Sequence, residues 1–416
     1  MFSKKSKLLT LVAFLFGASF AFAQDSGPLI DLLIKKGLIN DQEGENLRAD
    51  LARDAAAAVT ATISGGKSTA GLSIAGRIQV QYAGLATDIS GTTADPVSTE
   101  HFFLRRIYLG AKANLGNGWT SSINYDFAGT TFDEAKITWT QSDALNVDIG
   151  FRKVPFGLEE WYTSSGSLKA IERSPATRYF VESNNGRRLG AGSYRVGVFV
   201  GGKSSSGLFY NVAATNPERN EDGTAGVNSA GAASNNNLAY WANLGYVGKS
   251  GEDFTYTLSG SVGFLPDQGG KTLGTGHDLT VYNAFADFTK GPFDLQLEYF
   301  GSNNDQGVSA TQDSQSSAWS IQPSYKVGEF WELTTRYTKV DSDGRGVQTS
   351  DGIRSAPSGG TMNNMNEWYF GFTRFFRGND VKFQLGYIMG QSKDTVTGGT
   401  AKANTSGVRS QMQVNF

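Results

Sequence analysis

The chain has 416 residues, 52 of them glycine, with 12% aromatic and 18% charged residues, no cysteine and a formal net charge of −2. No apolar run of about 18 residues follows the N-terminus, so no spanning helix is encoded there. The near-neutral balance gives no support for nucleic-acid binding, and two separated histidines (His101, His277) without cysteine give no zinc ligand set.

In chain order, Met1–Ala23 joins a basic start (Lys4, Lys5, Lys7) to an apolar core and the small-residue end Ala21-Phe22-Ala23. This reads as a secretory signal peptide cleaved before Gln24. Its loss takes 37 basic residues to 34 against 39 acidic ones, a net −5. Residues 24–60 read as a short periplasmic helical segment. Leu29, Leu33 and Ile34 share a face, Gly37 stands at a C-terminal cap, and Asn40 with Glu43 makes a capping pair. Either a loosely ordered tail or a self-associating helix fits that stretch. Residues 61–70, rich in Gly, Ser and Thr, read as a linker.

From Gly71 the period becomes two. Leu72, Ile74, Ile78, Val80 and Tyr82 share one face, while Ser73, Arg77, Gln79 and Gln81 share the other. The alternation recurs in about sixteen segments, each near the 9–11 residues of a tilted membrane-spanning strand. The expected spans are 71–83, 101–114, 118–128, 132–141, 145–153, 186–200, 207–215, 237–249, 252–265, 278–290, 292–303, 316–327, 330–341, 365–376, 379–391 and 406–416. Very short turns alternate with long connections, the longest being 154–185. The fold class is therefore all-β, a transmembrane antiparallel β-barrel of about 16 strands over residues 71–416. A large soluble sandwich or propeller would not produce this asymmetry of turns. The even count puts both strand termini on the short-turn, periplasmic side. The last strand ends on Phe416, a residue suited to an aromatic girdle.

Lipid cannot satisfy free backbone groups, so such strands close on themselves, and about sixteen of them leave a water-filled lumen. Segment 154–185 is long enough to fold inward and narrow that lumen. By parity, Arg77, Arg106, Lys136, Arg152, Arg195, Arg336 and Lys382 face the lumen as its basic lining, beside acidic Asp126, Glu134, Asp148, Asp294, Glu298 and Glu332. Parity sends Arg105 outward, where an Arg costs about 2–4 kcal/mol at the membrane midplane. A bulge or a subunit interface would relieve that conflict.

The runs FFLRRIYLGAKANLGNGWTSSINYDF, GFRKVPFGLEE and TSSGSLKAIERS resemble the phosphate-selective porin O and P family of Gram-negative outer membranes. The likeness in motifs covers about residues 101–190. It implies a homotrimer of barrels in the outer membrane, passing small anions such as phosphate or polyphosphate by passive diffusion. It also implies an anion constriction built from Arg105, Arg106, Ser164, Ser165 and Arg173, with Glu134, assigned by spacing, as the wall acid. The family's phosphate-specific members carry a dense arginine ladder on one strand, whereas here the corresponding region has Arg187, Arg188 and Arg195. A general, weakly selective porin for small hydrophilic solutes is therefore the alternative. No cofactor is implied. A histidine-dependent hydrolase is disfavoured because neither histidine has a serine partner at a motif. Asp341-Ser-Asp343-Gly has calcium-loop residues, but a solvated loop is the favoured reading.

Overall fold

The computed structural model describes residues 71–90, 97–218, 237–271, 276–394 and 401–416. The leader, helical segment and linker expected before residue 71 lie outside the described residues.

The barrel runs β1 (Gly71–Ser90), β2 (Val97–Gly116), β3 (Trp119–Asp126), β4 (Thr131–Ser142), β5 (Leu145–Lys153), β6 (Tyr194–Lys203), β7 (Leu208–Thr215), β8 (Ala239–Ser250), β9 (Phe254–Leu265), β10 (Leu279–Lys290), β11 (Phe293–Ser309), β12 (Gln312–Ser314), β13 (Ser317–Val327), β14 (Trp331–Asp341), β15 (Asn364–Arg377), β16 (Val381–Lys393) and β17 (Lys402–Asn415). Sixteen of these span the wall; β12 is a three-residue flap pairing on the overhang of β11. Each spanning strand pairs antiparallel with its neighbours in sequence, and β17 closes on β1 from Arg77↔Asn415 to Ser90↔Lys402. Closure leaves no open edge, the condition a strand protein must meet in lipid.

Phe416 finishes the seam. Its backbone exchanges two hydrogen bonds with Gly76, at 2.7 and 3.0 Å. Its ring crosses Gly76 so closely that a Cβ there would lie 2.4 Å from Phe416 Cζ. Glycine is what lets the last residue dock on β1.

The apolar parity faces outward: Ile74, Ile78, Val80, Leu104, Ile123, Ile137, Ile149 and Leu258 are exposed. Aromatics crowd the rims, as Trp119 with Trp139 and Tyr337 with Trp368. At the short-turn rim Arg374 lies 4.6 Å from the ring centre of Phe330 and 5.0 Å from that of Trp331, a cation–π setting for an outward-facing charge. The polar parity faces inward and is largely buried, because long loops fill part of the lumen.

Several strand boundaries differ from expectation, most of all at β6 and β1. The span 186–200 forms strand only from Tyr194, since Leu189 and Ala191 pack back on the preceding helix through backbone bonds to Tyr179 and Phe180. The connection between β5 and β6 is thus residues 154–193. The β1–β2 hairpin extends further than its composition indicates, pairing up to Thr87↔Val97.

Candidate functional site

The segment after β5 can be followed by its contacts. Its base is pinned by Val154 N–H on Ser193 O (3.0 Å), and Leu158 N–H donates to Glu298 Oε1 on β11 (2.5 Å). A π turn, Leu158–Tyr162, brings Tyr162 against Phe285 and Phe209, 5.2 and 5.9 Å between ring centres. The chain then reaches β1, β16 and β17. Gln413 donates to Gly166 O (3.0 Å), Lys382 to Leu168 O (3.3 Å), and Gln384 to Lys169 O (3.1 Å). Lys169 turns to β14 and β11, pairing with Glu332 at 2.8 Å and Asp294 at 3.4 Å. The segment therefore touches strands on opposite sides of the lumen.

A short helix, α1 (Pro175–Val181), returns the chain to β6. Ser174 caps it by accepting from Thr177 N–H, and Pro175 follows where a missing N–H costs nothing. Glu159 secures the cap by accepting from Ser174 N–H (2.6 Å) and Thr177 Oγ1 (3.0 Å). Phe180 stacks on Phe300, 5.1 Å between centres.

The conflict over Arg105 resolves through a bulge. Gln79 pairs with Arg106 while Val80 pairs with Leu104, which leaves Arg105 as the extra residue. The added residue lets two successive arginines turn to the lumen while Leu104 and Ile107 both keep the outward parity. The outward position expected for Arg105 is thereby corrected: its Nε and Nη2 bind Glu172 at 2.5 and 3.2 Å.

The remaining expected site residues have separate partners. Ser164 and Ser165 accept from Arg77, at 3.5 and 2.8 Å, and so face Arg77 rather than Arg106. Arg173 is buried against Glu160 at 2.6 Å, where Lys153 also approaches to 3.6 Å. Its charge is compensated, so it does not face Arg106 as a free cation. Glu134 is remote from both. It binds Ser122 (2.5 Å) and Lys136 (3.2 Å) in a cavity of about 830 Å³ toward the short-turn end, lined also by Lys112, Asp148 and Lys203. Lys136 and Arg152 both pair with Asp148. Arg195 donates to Gly190 O (2.7 Å). Arg336 joins Glu367 (2.9 Å) to Glu159 (3.2 Å).

Arg77, Arg106 and Lys382 stand apart. Among the described residues none has a carboxylate within 4.0 Å. Their partners are neutral: Arg77 binds Asn415 and the two serines, Arg106 binds Gln79 (2.8 Å), and Lys382 binds Leu168 O and Asn379. Strand register puts Lys382, Gln413, Gln79 and Arg106 on one rung, with Arg77 a rung nearer the short-turn end.

A second internal segment escaped the reading of the sequence. Residues 342–363, between β14 and β15, carry the one-turn helix α2 (Thr349–Gly352) and bury Val347 and Ile353. Arg345 is fully buried and donates to the carbonyls of Arg187, Gly270 and Gly307. Arg354 reaches Glu172 (3.3 Å) and Glu182 (2.6 Å). Burial opposes the charge of Glu172, yet Arg105 and Arg354 hold its carboxyl well below the usual range. Glu182 is lowered in the same way, burial being outweighed by Arg178 and Arg354. The available signal was Val347 and Ile353 inside an otherwise polar long connection.

A closed barrel of sixteen spanning strands, with a polar interior crossed by its longest connection, defines the class of outer-membrane channels. The model of the family "Phosphate-selective porin O and P" matches residues 73–416, and the chain belongs to that family. It is a porin of the Gram-negative outer membrane, and family and fold are those of channel proteins. No curated protein matches the sequence. Among solved structures, the anion-selective porin from Comamonas acidovorans is similar with TM-score 0.53 and 12% identity, over 83% of this chain and 99% of that one. The outer membrane channel DcaP of Acinetobacter baumannii gives 0.51 and 14%, over 84% and 99%. OmpF of Salmonella typhi, in complex with daunomycin, gives 0.52 and 12%, over 83% and 98%. At these identities the structures support the barrel fold.

Proposed function

We propose that this porin passes small anions, phosphate among them, by passive diffusion, with no catalytic step. One observation carries the reading: Arg77, Arg106 and Lys382 lie where segment 154–193 meets the wall, and no described carboxylate forms an ion pair with them. Their partners are neutral acceptors, so the three charges stay uncompensated, and the Ser164 and Ser165 hydroxyls can offer an anion weak, escapable hydrogen bonds in place of hydration. Segment 154–193 is the constriction in this reading, and Arg77, Ser164, Ser165, Arg106 and Lys382 are its anion-facing residues. Arg105 and Arg173 supply field and support, since Glu172 and Glu160 already claim them. The family name supports phosphate as a permeant solute, and the Comamonas channel's anion selectivity supports the sign of the preference. A homotrimer, and recognition of Phe416 by the assembly machinery, follow from the same family reading.

Planar-bilayer recording tests it. The wild type should give reversal potentials favouring chloride over potassium, and its chloride current should fall in millimolar phosphate. Replacing Arg77, Arg106 and Lys382 together by Gln should move the reversal potential toward potassium. The weakly selective reading draws on the cavity near the short turns, where Lys112, Lys136 and Lys203 face Glu134, Asp143 and Asp148. It requires the triple variant to keep the wild-type selectivity.

A further inference from the structure

Glu172 is a loop carboxylate that finds several donors on the lumen wall. Besides the Arg105 fork, Gln81 Nε2 donates to its Oε1 (2.9 Å), Arg354 Nε lies 3.3 Å from Oε2, and Arg409 Nη1 lies 3.9 Å from Oε1. Four separate elements, β1, β2, β17 and the 342–363 segment, converge on one two-oxygen group. Two features exceed what a structural ion pair needs. Three guanidinium groups meet one carboxylate. Arg409, only 1% exposed, also has Nε and Nη1 without a hydrogen-bond partner. Such donors are costly to bury unmade. Beside them is a void of about 10 Å³ bordered by Glu172, Arg354, Arg409 and Arg336, near the size of a single water.

We propose that this cage is a binding site for carboxylate-bearing solutes, with Glu172 as its built-in stand-in. The proposal rests on the anion-porin reading only for the arrival of the solute. Carboxylate is the chemistry the cage already fits, because the Arg105 fork takes two coplanar oxygens in parallel. An incoming carboxylate takes the Arg105 fork, and Glu172 moves toward the unmet donors of Arg409. Exchange between two carboxylates keeps the occupant escapable, as a channel requires.

The test is thermal unfolding of the purified full-length barrel at neutral pH in potassium acetate, chloride or phosphate of equal ionic strength. Glu172→Ala empties the cage. Acetate should raise its Tm with an affinity at least about tenfold tighter than any effect on the wild type, and adding Arg105→Gln should remove the gain. Glu172→Asp keeps a charge for folding but withdraws it by one methylene, and it should show the same preference to a smaller degree. Equal acetate effects on variant and wild type, or none in whichever variant folds, would overturn the proposal. Phosphate stabilising Glu172→Ala more than acetate would overturn the carboxylate class. The assay reads binding and not current, so a cation-selective wild type would defeat the anion-porin reading separately.

Discussion

Arg105 grips Glu172 through two parallel hydrogen bonds, 2.5 Å from Nε to Oε1 and 3.2 Å from Nη2 to Oε2. The pair joins a bulge on β2 to the loop that crosses the lumen, so a single extra residue in one strand adds an anchor to a loop that β11, β14, β16 and β17 also hold.

Because Arg105 is the unpaired residue of that bulge, deleting it should leave both flanking ladders in their present register, Gln79↔Arg106 and Val80↔Leu104. A barrel lacking Arg105 is expected to assemble and to keep its heat-modifiable mobility on electrophoresis. Deleting Lys136 instead, from the regular β4–β5 ladder, exchanges inner and outer faces along the rest of that strand and should abolish assembly. Equal tolerance of the two deletions would contradict the bulge assignment.

The carboxyl of Glu172 is held below its ordinary value of 4.5. A depressed carboxyl stabilises the fold above its unfolded pKa, and the gain is lost as pH falls through the lower, folded value. The stability gap between wild type and Glu172→Gln should therefore be full at neutral pH. At about 3 kcal/mol, the order expected for breaking a buried pair, it should be readily measurable. It should shrink steadily as pH falls below about 4.5. A gap that widened in acid, followed by chemical denaturation, would reverse the sign of the account.

Gln384 and Gln413 hold the loop by its carbonyls at Lys169 and Gly166. A typical hydrogen bond contributes about 1 kcal/mol net, so replacing both glutamines by Ala should loosen the crossing without unfolding the barrel. Single-channel conductance should rise and become noisier. Unchanged conductance would mean that the loop is held in place from its other contacts alone.

Glu134 sits with Lys136 and Ser122 in the cavity near the short turns, away from Arg106. Glu134→Gln should alter anion selectivity much less than Arg106→Gln, measured by reversal potential under one salt gradient. The opposite ranking would move the discriminating site to that cavity.

The barrel was legible because its signal is repetitive. Sixteen alternating segments and the contrast of turn lengths each report the same architecture, and closure follows from lipid physics. The site was less legible because its pairings are non-local. Parity places Arg106, but only the bulge places Arg105, and a bulge leaves no local mark beyond the awkward double arginine. The loop motif identified Ser164, Ser165 and Arg173 as a group, yet their partners, Arg77 and Glu160, depend on how the loop crosses the lumen. Parity turns Arg409 to the lumen as well, but its meeting with Arg354 was not legible, because one lies on the closing strand and the other on a long connection, far apart until the barrel closes.

The measurement that bears most directly on the central claim is the reversal potential of the wild-type channel under a KCl gradient, repeated with Arg77, Arg106 and Lys382 replaced by Gln. The expected result is chloride preference in the wild type and a shift toward potassium in the triple variant. Potassium preference in the wild type, with no block of current by millimolar phosphate, would contradict it.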